Sequence, residues 1–147
     1  MQEQFEKMKK ENYESLQVQL RKRSVEYGYY RRYFVNGSTT EQKIARKYSL
    51  LRAQCAHVAN YYGELLLPVT RITPVELNMS IVFDHMAILH LDLAHLHEEL
   101  KKQKGENETL HQHLEVFHRT VGHSHKETAE MFRNTSKTEL SKGIKNN

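Results

Sequence analysis

The chain has 147 residues, 38% apolar and 27% charged, with formal net charge +4, two prolines, six glycines and one cysteine. That is one domain's worth of polypeptide, with too little apolar content for two independent cores. The lone Cys55 excludes an internal disulfide framework and sits on an apolar stripe as a small core residue. The charged N-terminus from Met1 to Glu14 has no apolar stretch of the kind that directs secretion, so an intracellular protein, cytoplasmic or nuclear, is expected. The stretch from Pro74 to Leu96 is the most apolar. It carries Glu76, Asp84, His85, His90, Asp92 and His95, which are too costly in hydrocarbon for a membrane span.

The first helix is expected from about Gln2 to Val35, with Tyr13, Leu16, Leu20, Tyr27, Tyr30 and Phe34 on one stripe. Asn36-Gly37 tolerates positive φ and marks its stop. Ser38-Thr39-Thr40-Glu41 is a capping box that opens a second helix, with seam Ile44, Tyr48, Leu51, Cys55, Val58, Tyr62 and Leu65. A face of small residues, including Ala45, Ala53, Asn60 and Gly63, invites close approach by a neighbouring helix. Pro68 to Thr73 reads as a linker. Thr73-Pro74-Val75-Glu76 reads as the start of a third helix.

From Val75 onward one heptad phase holds to Met131. The d positions are Val75, Val82, Leu89, Leu96, Gln103, Leu110, Phe117, Ser124 and Met131, and the a positions are Met79, Met86, Leu93, Leu100, Asn107, Leu114, Val121 and Thr128. Because a chain that turned at Gly105 would have no reason to resume in phase, a continuous helix of roughly 85 Å is expected, at about 1.5 Å per residue. Leu77, Ile81, Ile88 and Leu91 form a second apolar face for helices one and two to cover. The expected architecture is all-α: a helical bundle of three helices over residues 1–97, a coiled-coil extension of the long third helix over 98–132, and a disordered tail over 133–147.

Charge is segregated along the chain. Nine Lys/Arg face two Glu between Arg21 and Arg52, while Ile72 to Leu100 holds five acids and no Lys or Arg. The basic part is expected to lie against the acidic part. Arg21, Lys22, Arg23, Tyr29, Arg31, Arg32 and Tyr33 interleave cations with rings, chemistry suited to single-stranded nucleic acid.

Ten histidines are present, and His90, His97, His111, His118 and His125 share the e position. In a parallel homodimer they would flank the seam, with Asp92 against His97, Glu99 against Lys104, Glu106 against His111, His85 against His90 and His113 against His118. Such flanks change charge near pH 6.5. No two histidines are spaced four apart as in helical zinc sites, so no metal or other cofactor is expected. No phosphate loop, nucleophile elbow or paired-cysteine motif points to an enzyme.

The expected function is therefore non-enzymatic. The chain would dock partner helices, or a second copy of itself, through Val75, Met79, Val82, Met86, Leu89, Leu93, Leu96, Leu100, Asn107, Leu110, Leu114, Phe117 and Val121. Asn107 in that seam would fix register at a cost in stability, so its replacement by Leu would raise the melting temperature. The alternative is a nucleic-acid-binding regulator that uses the Arg/Tyr face of the first helix.

Overall fold

The computed structural model describes residues 2–67, 75–103, 105 and 107–145. It holds four helices: α1 (Gln2–Phe34), α2 (Thr39–Leu65), α3 (Val75–Lys102) and α4 (Glu108–Lys145). Among the described residues none of these helices is long and apolar enough to cross a membrane.

The α1–α2 turn forms as its residues dictate. The Gly37 amide donates to the Phe34 carbonyl, the Glu41 amide donates to the Ser38 hydroxyl, and the Ser38 amide donates to the Glu41 carboxylate. α2 returns antiparallel to α1, and its small-residue face receives α1 in part. The Gln17 amide donates to the Ala59 carbonyl, the Arg21 guanidinium to Asn60, and the Ser24 hydroxyl to the Arg52 carbonyl. The expected start at Thr73-Pro74 and the linker before it lie outside the described residues.

The long continuous helix does not form. α3 stops at Lys102 and α4 starts at Glu108, packed antiparallel on α3 along its length. The shared heptad phase has another origin. His97 meets His111 and His90 meets His118, each pair placed symmetrically about position 104, which is itself an e position. A fold-back about an e position returns e residues to e residues, so the histidine spacing survives the turn, while a and d residues come opposite b and f. α4 also runs to Lys145, so residues 133–145 are helical where a disordered tail was expected.

The close approach of α3 and α4 depends on Gly122, where a Cβ would come 3.3 Å from His90 Cβ and from Leu91. Ion pairs line the hairpin edge: Lys101 to Glu115 at 2.7 Å, Arg119 to Glu98 at 2.8 Å, and Arg133 to Asp84. The acidic face of α3 is thus answered mostly by α4. From the basic first half, Lys47 reaches Asp92 at 3.1 Å.

The expected seam is closed within the chain. Val75, Met79, Met86, Leu89, Leu93, Leu100 and Leu114 are buried, and Val82, Leu96, Leu110, Phe117 and Val121 are partly buried. In α4 the buried line shifts away from a and d. His111, Leu114, His118, Gly122, Ala129 and Phe132 face inward, while Ser124 and Met131 are exposed. Ile81 and Ile88 stay exposed rather than covered by α1 and α2, and Leu77 and Leu91 are partly buried.

Asn107 is not in a seam. It immediately precedes α4, its carbonyl accepts from the His111 amide at 2.9 Å, and its side-chain oxygen accepts from the Tyr33 hydroxyl at 3.3 Å. Placed there, its side chain ties the end of α1 to the start of α4 rather than choosing a strand number. Asn107→Leu removes the acceptor of the Tyr33 hydroxyl and is expected to lower stability by about 1 kcal/mol. A urea titration with unchanged slope and a lower midpoint would show this, whereas a raised midpoint would restore the seam placement.

Candidate functional site: a buried histidine and tyrosine core

Heptad spacing stacks His90 and His97 on one face of α3 and His111, His118 and His125 on one face of α4. The α3–α4 hairpin turns these faces toward each other, and α1 and α2 close them off with Tyr27, Phe34 and Tyr48. His90, His97 and His118 have 0% exposure, as does Tyr48. The rings pack closely: His97 stacks on His118 with centroids 5.8 Å apart and planes within 6°, and His90 contacts both His118 and His125. Phe34 lies against His97 and His111.

One run of hydrogen bonds threads this cluster. His90 Nδ1 lies 2.8 Å from His118 Nδ1, and His118 Nε2 lies 2.8 Å from the Tyr48 hydroxyl. The same hydroxyl lies 3.0 Å from His97 Nε2, and His97 Nδ1 lies 2.9 Å from His111 Nδ1. A neutral imidazole has one N–H and one bare nitrogen, and a hydroxyl has one proton to give. With the Tyr48 proton given to one of its two ring neighbours, the direction of any one bond sets the direction of all four. In one polarity Tyr48 donates to His118, which donates to His90, while His111 donates to His97, which donates to Tyr48. In the other polarity every donor becomes an acceptor. Both leave His90 Nε2 without a partner, and His125 Nε2 is likewise buried and unpartnered.

Burial makes these groups reluctant bases. Desolvation, added to repulsion from neighbouring histidines and from Arg23, pulls His90 down to about 2 and His118 to about 3. Desolvation and His111 pull His97 to about 3, desolvation and Arg23 pull His125 to about 4, and His111 is lowered chiefly by burial with Glu41 opposing. Burial also raises the Tyr27 and Tyr48 hydroxyls and pushes the Cys55 thiol up to about 12, so Cys55 is a core residue and no thiolate. The core is neutral at physiological pH.

The histidine pairs are closed as hydrogen bonds rather than as metal ligands. Two imidazoles on one tetrahedral zinc, each about 2.0–2.1 Å from it, hold their nitrogens roughly 3.3 Å apart, wider than either pair. Among the described residues no group of three or more His, Cys, Asp or Glu is arranged to hold a metal ion.

The e positions are therefore the centre of the fold and not its flanks. The expected dimer pairings are pre-empted within the chain: His97 and His111 bond each other, Asp92 bonds Lys47, and His85 Nδ1 accepts from the Gln54 side-chain amide at 2.6 Å. The pairings that involve Lys104 and Glu106 lie outside the described residues. His57, His95, His113 and His123 are exposed. What the periodicity alone missed was Tyr48. Tyr48 lies on the α2 seam as expected, and among the described residues it is the only hydroxyl bridging the two histidine pairs.

The expected nucleic-acid residues are divided. Lys22, Tyr29, Arg32 and Tyr33 are exposed along α1, with the Arg32 guanidinium over the Tyr29 ring. Arg31 shares a groove of about 340 Å³ with Arg46, Arg21 is held by Asn60, and Arg23 turns inward over the Phe117 ring. No family model, curated protein or solved structure matches the chain.

Tyr48→Phe keeps the ring and removes the bridge, leaving two buried imidazole nitrogens without partners. A loss of about 2 kcal/mol in denaturant unfolding is expected. Wild-type stability in that variant would mean the hydroxyl links nothing.

Proposed function

We propose that the chain is a non-enzymatic helical interaction protein whose closed state is conditional on neutral pH. The observation that carries this reading is the side-by-side packing of the buried His90, His97, His111 and His118 with the partly buried His125, of which only His111 has a carboxylate, Glu41, favouring its charged form. In the closed bundle the apolar residues able to dock another helix, among them Met86, Leu93, Leu100 and Leu114, are occupied within the chain. Opening the α3–α4 hairpin is what would release them.

The direction of the pH effect follows from linkage. An unfolded histidine takes up a proton near pH 6.5, whereas the buried ones resist to about pH 2–4. Below 6.5 the open chain binds more protons than the closed one. Stability present above that pH is then lost as pH falls toward the folded-state values. Each buried histidine contributes about 1.4 kcal/mol per pH unit through that window, so four together withdraw roughly 8 kcal/mol by about pH 5, a large part of the typical stability of about 5–15 kcal/mol. The charged groups around the cluster are Arg23 from α1, which opposes protonation, and Glu41 of α2, which favours it only at His111.

Circular dichroism and sedimentation mass followed from about pH 8 to about pH 4.5 test the reading. Loss of the closed bundle with a midpoint of about pH 5, accompanied by a rise in mass, is expected, and His118→Leu should move the midpoint downward. Constant signals across the range would remove the pH dependence. Opening without association would remove the docking role.

A second reading rests on the exposed run of Lys22, Tyr29, Arg32 and Tyr33 on α1, with Arg31 and Arg46 alongside. Rings and cations in one strip suit single-stranded nucleic acid. Three phosphate contacts by Lys22, Arg31 and Arg32 predict a slope of about −2 for log affinity against log salt. Fluorescence anisotropy with a labelled oligonucleotide at several salt concentrations measures that slope, and a flat line counts against phosphate contact.

A further inference from the structure

The four helices do not close evenly. α1 packs on α2, α2 on α3 and α3 on α4, but no Cα of α1 comes within 8 Å of any Cα of α4 among the described residues. Large side chains span that side instead. Tyr33 reaches Asn107, Phe34 reaches His111, Tyr27 reaches His118, and Arg23 lies 5.2 Å from the Phe117 centroid. Beyond Arg23, toward the open end of the bundle, the span lapses into a recess of about 300 Å³.

The walls of this recess are of two kinds. Leu16 and Leu20 of α1, Tyr62 of α2, Phe83 of α3 and Val121 of α4 give an apolar floor. Polar groups gather at Arg23, Gln19, Ser124 and His125. The hydroxyl of Thr128, also on the wall, is spent on the Ser124 carbonyl of its own helix at 3.0 Å. Arg23 has no carboxylate within 4 Å of its nitrogens among the described residues, and its cationic face rests on an aromatic ring. His125 Nε2 is shielded from solvent and has no hydrogen-bond partner.

A half-buried cation with no carboxylate beside it and an adjoining apolar hollow are complementary to one kind of molecule. We propose that the recess between α1 and α4 binds a small apolar monocarboxylate. Its head accepts from the Arg23 guanidinium, and its tail lies on Leu20, Tyr62, Phe83 and Val121. A guanidinium matches a carboxylate in geometry as well as charge. The same guanidinium repels a metal cation from His125, and the apolar floor gives free inorganic anions nothing to cover. At about 300 Å³ the recess is at the small end of cavities that hold organic ligands, which limits the tail to a short chain or one ring.

The test is calorimetric titration and thermal melting of the full chain at about pH 8, where the histidines are neutral in both folded and unfolded chain and the acid transition plays no part. Octanoate is the probe, and octanol, with the same tail and no charge, is its control. Saturable one-to-one octanoate binding with a raised melting temperature is expected, with octanol at least about tenfold weaker. Arg23→Met should weaken octanoate by about tenfold and leave octanol unchanged. Ser124→Phe, at an exposed α4 position that lines the recess, should fill it and abolish binding of both. Octanol equal to octanoate on the wild-type chain would overturn the proposal, even if Arg23→Met failed to fold. So would the absence of saturable octanoate binding, or octanoate binding unmoved by Ser124→Phe.

Discussion

Everything in the bundle interior is arranged around the cost of taking imidazole out of water. A buried polar ring without a partner loses its hydration and gains nothing, and five of them would outweigh much of the apolar burial around them. For four of them, His90, His97, His111 and His118, the chain meets this by making the rings satisfy one another through Tyr48. Because each ring has one proton for two nitrogens, no link can be altered alone, and the cluster behaves as one object. Its position along the axis sets which α3 residues oppose which α4 residues, and so the register of the hairpin.

The rings also determine the shape of the outside. Tyr27, Tyr48, Phe34 and the histidines are wide, and they occupy the space between α1 and the α3–α4 hairpin. Where they stand, α1 and α4 are bridged by side chains and kept apart as backbones. Where they run out, beyond Arg23, a hollow follows. Between α3 and α4, Gly122 leaves room for His90 and Leu91 to pack where a Cβ would crowd them. One side of the bundle is thus tight and the other loosely spanned, and both trace to the size of residues at a few inward positions.

Much of this was readable from the residues. The stripe Tyr13 to Phe34, the stop at Asn36-Gly37, the Ser38–Glu41 capping box and the α2 seam are local features, governed by chemistry a few residues long, and they appear as the pattern dictates. The fold-back was not readable from phase. A heptad repeat carried through position 104 is the same string whether the chain continues or reverses about an e residue, and only the loop-like Lys-Gln-Lys-Gly-Glu-Asn-Glu segment distinguishes the two. The site was hidden for a related reason. Histidine suits a wet flank and a bonded interior equally well, and what decides between them is a partner such as Tyr48, far away in sequence and belonging to a different helix. Asn107 went the same way, since its letter in the heptad said less than its neighbour Glu108 starting a new helix.

The mirror placement of the histidines about position 104 has a consequence for how such a chain can change length. Each pair is a rung joining the two arms of the hairpin. Seven residues inserted into α3 alone would set its histidines one rung out of step with those of α4. The same insertion made in both arms, at equal distance from the turn, would restore every pairing and add a rung. Lengthening by matched heptads is therefore open to this architecture, while lengthening of either arm alone leaves an imidazole facing a residue that cannot bond it.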